Sequence, residues 1–299
     1  MSERASPAAG AGAGLALALT GAILFSAKAI IVKLAYRHGV DAVTLIMYRM
    51  LFALPLFLAL AWWAGRKQPP LTARDWRVVV GLGFCGYYLA SMLDFVGLQY
   101  VSASLERLIL YLNPTLVLAL SVLLYRKVVT RRQLLALAVS YCGVLLVFGH
   151  EMEFKGSHTL WGSLLVFGSA LSYAVYLVHS GQEVKRLGSL RLTGLATSVA
   201  SALCIVQFLL LRPLQAALVP EPVLWLSVVN ALACTFAPVL MVMMAVERIG
   251  ATLAAQTGMV GPLSTLALGV LILGEPLNAW VGAGTRLVLA GVWMLARAR

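Results

Sequence analysis

The chain of 299 residues is 61% hydrophobic and 11% charged, with a mean hydropathy of +0.92. A soluble domain carries roughly 45–50% apolar and about 25% charged residues, so no soluble fold could bury this surface. The net charge of +12 is spread over short breaks between apolar runs rather than along one face or tail, which excludes a nucleic-acid binder.

Residues 1–13 are small and polar and read as a disordered tail. The small residues of ASPAAGAGAG precede the apolar run, the reverse of a cleaved signal peptide, so Leu15 opens the first span. Apolar runs then predict helices near 14–36, 42–64, 75–98, 102–125, 132–149, 159–180, 192–212, 222–246, 251–273 and 277–296. Spans of this length must be helical, because an open backbone polar group is too costly in lipid. With the N-terminus cytoplasmic, the inside segments hold Arg4, Arg66, Lys67, Arg74, Arg77, Arg126, Lys127, Arg131, Arg132, Lys185, Arg186, Arg191, Arg248, Arg297 and Arg299. The outside loops hold only Arg37, Lys155 and Arg212, so both termini are expected inside and the helix count is even.

The first helix carries Lys28 near its middle, where a charge costs roughly 2.5–3.5 kcal/mol on insertion scales. It either faces a cavity and holds a substrate carboxylate, or snorkels or is paired inside the bundle. Arg49 lies on the second helix, Asp94 on the third, and Glu106 and Arg107 on the fourth, all towards the outer side and able to meet. They form either an ion-pair lock on an outer gate or a structural cluster that satisfies buried charge. Tyr87 and Tyr88, Tyr111 and Asn113, and Tyr173 and Tyr176 sit at mid-span depths, as does Phe25. They are either packing or an aromatic pocket for a planar or apolar side chain. Gln256 and Thr257 could add polar contacts from the ninth helix, and Glu247 with Arg248 reads as a surface pair.

Shifting the chain by 148 residues aligns 97–145 with 245–293 without a gap, bringing Pro114 onto Pro262 and Gly143 onto Gly291. An odd number of helices per half makes the halves inverted repeats, an architecture of secondary transporters with a midplane site at the repeat interface. Pro114 and Pro262 are the matching helix interruptions that point to such a site.

GLQYVSASLERLILYLNPTLVLALSVLLYRK and its partner AVERIGATLAAQTGMVGPLSTLALGVLILGEPL resemble the hallmark segments of the EamA branch of the drug/metabolite transporter superfamily. Arg49 in MYRMLFALPL, the two prolines and the GEPL after the ninth helix belong to the same likeness. The resemblance implies an all-α membrane protein of ten transmembrane helices, with one repeat over 14–150 and the second, inverted, over 151–299. Helices one, three, four, six, eight and nine would line a central cavity. Within the branch the likeness leans towards exporters of aromatic amino acids. Arg286 in the tenth helix departs from the family's apolar pattern, and nothing in the sequence explains it.

No GxxxxGK[ST] loop is present, so transport is secondary or facilitated, and no cofactor is expected. Lys28 and Lys33 stand where small multidrug antiporters of the superfamily use a glutamate, which favours neutral, zwitterionic or anionic cargo over cationic drugs. Asp94 and Glu106 are candidate proton carriers. Cys85, Cys142, Cys204 and Cys234 lie in apolar spans without metal or disulfide spacing. His38, His150, His158 and His179 lie at helix ends or in loops, and Asp94 is the lone intramembrane aspartate, which leaves no catalytic set for an intramembrane enzyme. No filter-like loop recurs, as a channel would need. The expected partners are a small-molecule substrate, other small organic solutes or drugs being the alternative cargo, and the lipid of a bacterial inner membrane. A monomer is the expected unit.

Overall fold

A computed structural model describes residues 7–125, 130–155, 157–242, 244, 245, 248, 249, 261–276 and 278–297. Gln256, Thr257 and Glu247 therefore lie outside the described residues. All described secondary structure is helical. Helix α1 (Pro7–Tyr36) begins earlier than expected and takes in residues 7–13. Proline suits a first helical turn and alanine is the strongest helix former, so this segment helps extend α1 instead of fraying. Helix α2 (Ala42–Gly65) starts on Asp41, whose carboxylate accepts from the amides of Val43 at 3.0 Å and Thr44 at 3.3 Å. Arg212, just past α7 (Ser189–Leu211), donates to the same carboxylate at 3.1 Å. Partial burial opposes ionisation of Asp41, but the Thr44 and Val43 hydrogen bonds and the Arg212 charge outweigh it and hold the carboxyl below its ordinary range.

Helix α3 (Ala73–Gly97) opens on a Thr72/Asp75 capping box and passes through a π turn at Phe84–Leu89. Helix α4 (Ala103–Leu124) is interrupted after Leu110 and resumes at Asn113, one residue before Pro114. Proline has no amide hydrogen to continue the ladder, which accounts for the break. Helices α5 (Arg131–Lys155) and α6 (Ser157–Leu187) follow, and Gly188 at φ +79° makes the turn into α7. Helix α8 (Glu221–Val242) carries a second π turn at Leu232–Phe236. Of α9, Gly261–Leu268 and a π turn at Gly269–Leu273 are described, and α10 spans Ala279–Arg297.

Among the described residues, eight helices, α1 to α8, are long and apolar enough to cross a bilayer. Their surface is apolar and their interior partly polar: Leu123 is 77% and Leu271 80% exposed, whereas Ser140, Thr197 and Asn230 are fully buried. Water would penalise that distribution, and hydrocarbon rewards it. Trp62, Trp161, Trp225 and Trp280 are exposed near helix ends, as interfacial anchors are.

Helix α5 packs along α10 and α2 along α7. A Cβ added at Gly143 would lie 2.6 Å from the carbonyl oxygen of Gly284, and one at Gly291 would lie 2.7 Å from that of Ala136. Residues 143 and 136 precede 291 and 284 by the repeat spacing of 148, so one contact is made twice with the halves exchanged. Gly14 against Arg248 and Ile249 recurs in the same way as Gly162 against Tyr100 and Val101. The π turns starting at Phe84 and Leu232 keep that spacing too. Gly143→Leu and Gly291→Leu should each destabilise the fold by about 1–3 kcal/mol through overpacking. Thermal unfolding of the purified protein checks this, and melting at the wild-type temperature would refute the close approach.

Candidate functional site

Loops 37–41, 98–102, 212–220 and 274–276 gather at one end of the bundle, here the Asp41 end, through contacts such as Arg37 Nη2 donating to Leu273 O at 2.8 Å. The opposite end carries Asp75, which pairs with Arg186. Within the half towards the Asp41 end, three helices bring buried charges together. Lys28 Nζ on α1 lies 2.5 Å from Asp94 Oδ2 on α3 and 3.4 Å from Glu106 Oε1 on α4. Glu106 is fully buried, and Arg107 Nε is 3.9 Å from its other oxygen. Arg107 also donates to Thr265 Oγ1 on α9 at 3.1 Å and, through Nη2, to the carbonyl oxygens of Phe25 at 3.1 Å and Ser26 at 3.4 Å. Ser26 Oγ in turn donates to Gly261 O at 2.9 Å. The network thus ties α1, α3 and α4 to α9 at one level, and the Phe25 ring lies under both Lys28 and Arg107.

Lys28 is paired inside the bundle, its ammonium meeting two carboxylates. Arg49 does not join the ion pairs as expected from its depth. Its guanidinium lies over the Phe95 ring at 5.1 Å and makes one long hydrogen bond, 3.4 Å, to Ser91 Oγ. Helix α2 packs chiefly on α7, which sets Arg49 to the side of the Lys28 triad.

The tyrosines divide. Tyr87 and Tyr176 face each other with hydroxyls 3.2 Å apart and rings edge-to-face at 5.1 Å, and Tyr173 stacks on Tyr176 at 5.5 Å. Gly86 leaves room for the Tyr176 ring against α3. These three, with Val79, Leu82 and Leu192, pack α3, α6 and α7 together from the bundle's middle towards the Asp75 end. Tyr88 turns away to Phe84 and the α1/α2 core. The Tyr111 hydroxyl lies beside Gly261, and Asn113 Oδ1 is buried without a hydrogen-bond partner among the described residues. Pro114 and Pro262 sit in described helix, one residue into their segments.

Glu275 of GEPL has a role that the sequence reading missed. Its carboxylate accepts from Ala103 N at 2.8 Å, Ser104 N at 3.3 Å and Ser104 Oγ at 2.7 Å, capping α4 from the far half of the chain. The signal available was an acidic residue held rigid between glycine and proline beside an apolar span. Glu275 also lines a cleft of about 440 Å³ at the Asp41 end with Lys33, Arg37, His150 and Asn278. Asn278 and His150 touch across it at 2.6 Å.

Known proteins agree with a transporter. The model of the EamA-like transporter family matches residues 12–149 and again 160–297. The uncharacterized transporter YcbK of Bacillus subtilis is 30% identical over 283 residues, covering 90% of this chain and 88% of that protein. An uncharacterized inner membrane transporter of Escherichia coli, YhbE, is 26% identical over 188 residues, covering 60% of this chain and 57% of that one. A WAT1-related protein of Arabidopsis thaliana is 26% identical over 212 residues, 61% of this chain and 60% of its own. A solved crystal structure superposes with a TM-score of 0.66 at 19% identity, covering 96% of this chain and 98% of its own, which is a likeness of fold. With both matched segments together spanning nearly its whole length, this integral multi-pass membrane protein belongs to the EamA-like transporter family.

Proposed function

We propose that the chain is a ten-helix inverted-repeat transporter of a bacterial inner membrane, secondary or facilitated, that exports small metabolites by alternating access. Amino acids with aromatic or other apolar side chains are the proposed cargo. The observation that carries the reading is a pair of clusters at different depths: an ionic network over α1, α3, α4 and α9 towards the Asp41 end, and a tyrosine cluster over α3, α6 and α7 from the middle towards the other. Contacts repeated at a spacing of 148 support the inverted halves. The bias of Lys and Arg towards the Asp75 end supports a cytoplasmic assignment for it, with both termini there. Both clusters lie in one chain, so a monomer is the transport unit.

Purified protein in liposomes, given radiolabelled amino acids, organic anions and organic cations with and without a pH gradient, should show saturable uptake of L-phenylalanine above empty liposomes. Uptake of other solutes with none of any amino acid would discard the cargo and keep the transporter. Stimulation of uptake by the gradient would add Asp94 and Glu106 as proton carriers.

A further inference from the structure

We infer that Arg49 of α2 and Asn230 of α8 form a binding site for a carboxylate carried by the substrate, Lys28 being held by two carboxylates of the chain itself. The inference rests on the transport reading above and names a chemical feature of its cargo.

Arg49 is 6% exposed, and its Nε has no hydrogen-bond partner among the described residues. Asn230 is fully buried, and neither its Oδ1 nor its Nδ2 has one; the same holds for Ser227 Oγ one turn earlier on α8. Orphaned buried donors cost about 1–3 kcal/mol each, more when charged, so three on one level need an occupant. The level is shared. Arg49 lies seven residues into α2 and Asn230 nine residues into α8, roughly 10 and 13 Å from their Asp41 ends at ~1.5 Å per residue. The two helices pack there, since Ala53 and Phe57 of α2 share a core cluster with Ala231, the residue after Asn230. Cys234, one turn beyond Asn230, lies within electrostatic reach of Arg49, Lys28 and Arg107 alike. Lys28, Arg49 and Arg107 are three cations against the two carboxylates of Asp94 and Glu106.

With all five groups ionised, one positive charge is in excess, and Arg49 is the cation without an anion within ion-pair distance among the described residues. A guanidinium presents paired donors that match the two oxygens of a carboxylate, and the Asn230 amide adds a donor from the facing helix. Phosphate is a poorer match, because a second negative charge would have no cation left to meet it.

Thermal stabilisation of the purified full-length chain tests this with three probes: L-phenylalanine, phenylacetate, which keeps the carboxylate without the amine, and phenylalaninol, which keeps the amine without the carboxylate. Both carboxylates should stabilise the wild type and phenylalaninol should not. Arg49→Gln should weaken phenylacetate binding at least tenfold, and Asn230→Asp, nearly isosteric but negative, should abolish it should Arg49→Gln fail to fold. Phenylalaninol acting as well as L-phenylalanine, no effect of either carboxylate, or wild-type phenylacetate binding in both variants would overturn the site. Phenylacetate binding without any amino-acid uptake would keep the site and discard the amino-acid cargo. Uptake of L-phenylalanine unchanged by both variants would do the reverse.

Discussion

Lys28→Met is expected to destabilise the protein by about 3–5 kcal/mol, the usual consequence of removing one partner from a buried ion pair. The methionine fills nearly the same volume, so the loss is electrostatic rather than a cavity. Asp94 and Glu106 would then face each other in a low dielectric with only Arg107, 3.9 Å from Glu106, as an ion-pair partner. The measurement is the apparent melting temperature in detergent. The double variant Lys28→Met, Asp94→Asn should recover most of the loss, because the closest pair is removed whole and Glu106 keeps Arg107 as its partner. Wild-type stability in the single variant would mean that one carboxyl already carries a proton and the other needs little from Lys28.

Much of the bundle is legible because membrane spans declare themselves by length and apolarity, and the first eight predicted spans each correspond to a helix. The way helices turn about their axes is not written so plainly. Asp94, Glu106 and Arg107 could be brought together on paper because a short loop joins α3 to α4, whereas Lys28 reaches Asp94 across 66 positions of sequence. Tyr87 and Tyr88 are neighbours in sequence, yet adjacent residues on a helix point about 100° apart, and the π turn at Phe84–Leu89 changes the helical period where they sit. One therefore packs with Tyr176 and the other with the α1/α2 core. Glu275 was legible as part of GEPL and illegible as a cap, because its partners, Ala103 and Ser104, belong to the other half.

The two halves repeat their backbone contacts and diverge in chemistry. The residue 148 positions after Lys28 is Tyr176, and those after Glu106 and Arg107 are Ala254 and Ala255. A salt-bridged closure towards the Asp41 end is thus matched towards the other end by tyrosine hydroxyls and rings, whose bonds are individually weaker than charge-assisted ones. In the proposed alternating-access cycle, opening at the Asp75 end would break fewer strong bonds than opening at the Asp41 end, where the ionic network would have to part.

Arg107 is the charged member of that network that crosses between the halves, so Arg107→Gln combined with Glu106→Gln should release the Asp41 end. Glu106→Gln is included so that no carboxylate loses its partner and the fold is not what fails. The arginine's bonds to Thr265, Phe25 O and Ser26 O are charge-assisted, each worth about 1.5–3 kcal/mol. Replacing them with at most one amide bond would remove about 3 kcal/mol of bias, roughly a hundredfold in the open-to-closed ratio. Asn113→Cys, on α4 about 10 Å beyond Glu106 at ~1.5 Å per residue, reports it in a background in which Cys85, Cys142, Cys204 and Cys234 are replaced. Its reaction with an impermeant thiol reagent added from the Asp41 side should quicken at least tenfold in the double variant. Reaction from the Asp75 side should slow, since alternating access exposes one side at the expense of the other. Quickening from both sides would mean loosening of the whole bundle, and no change from either would reduce the network to structural support.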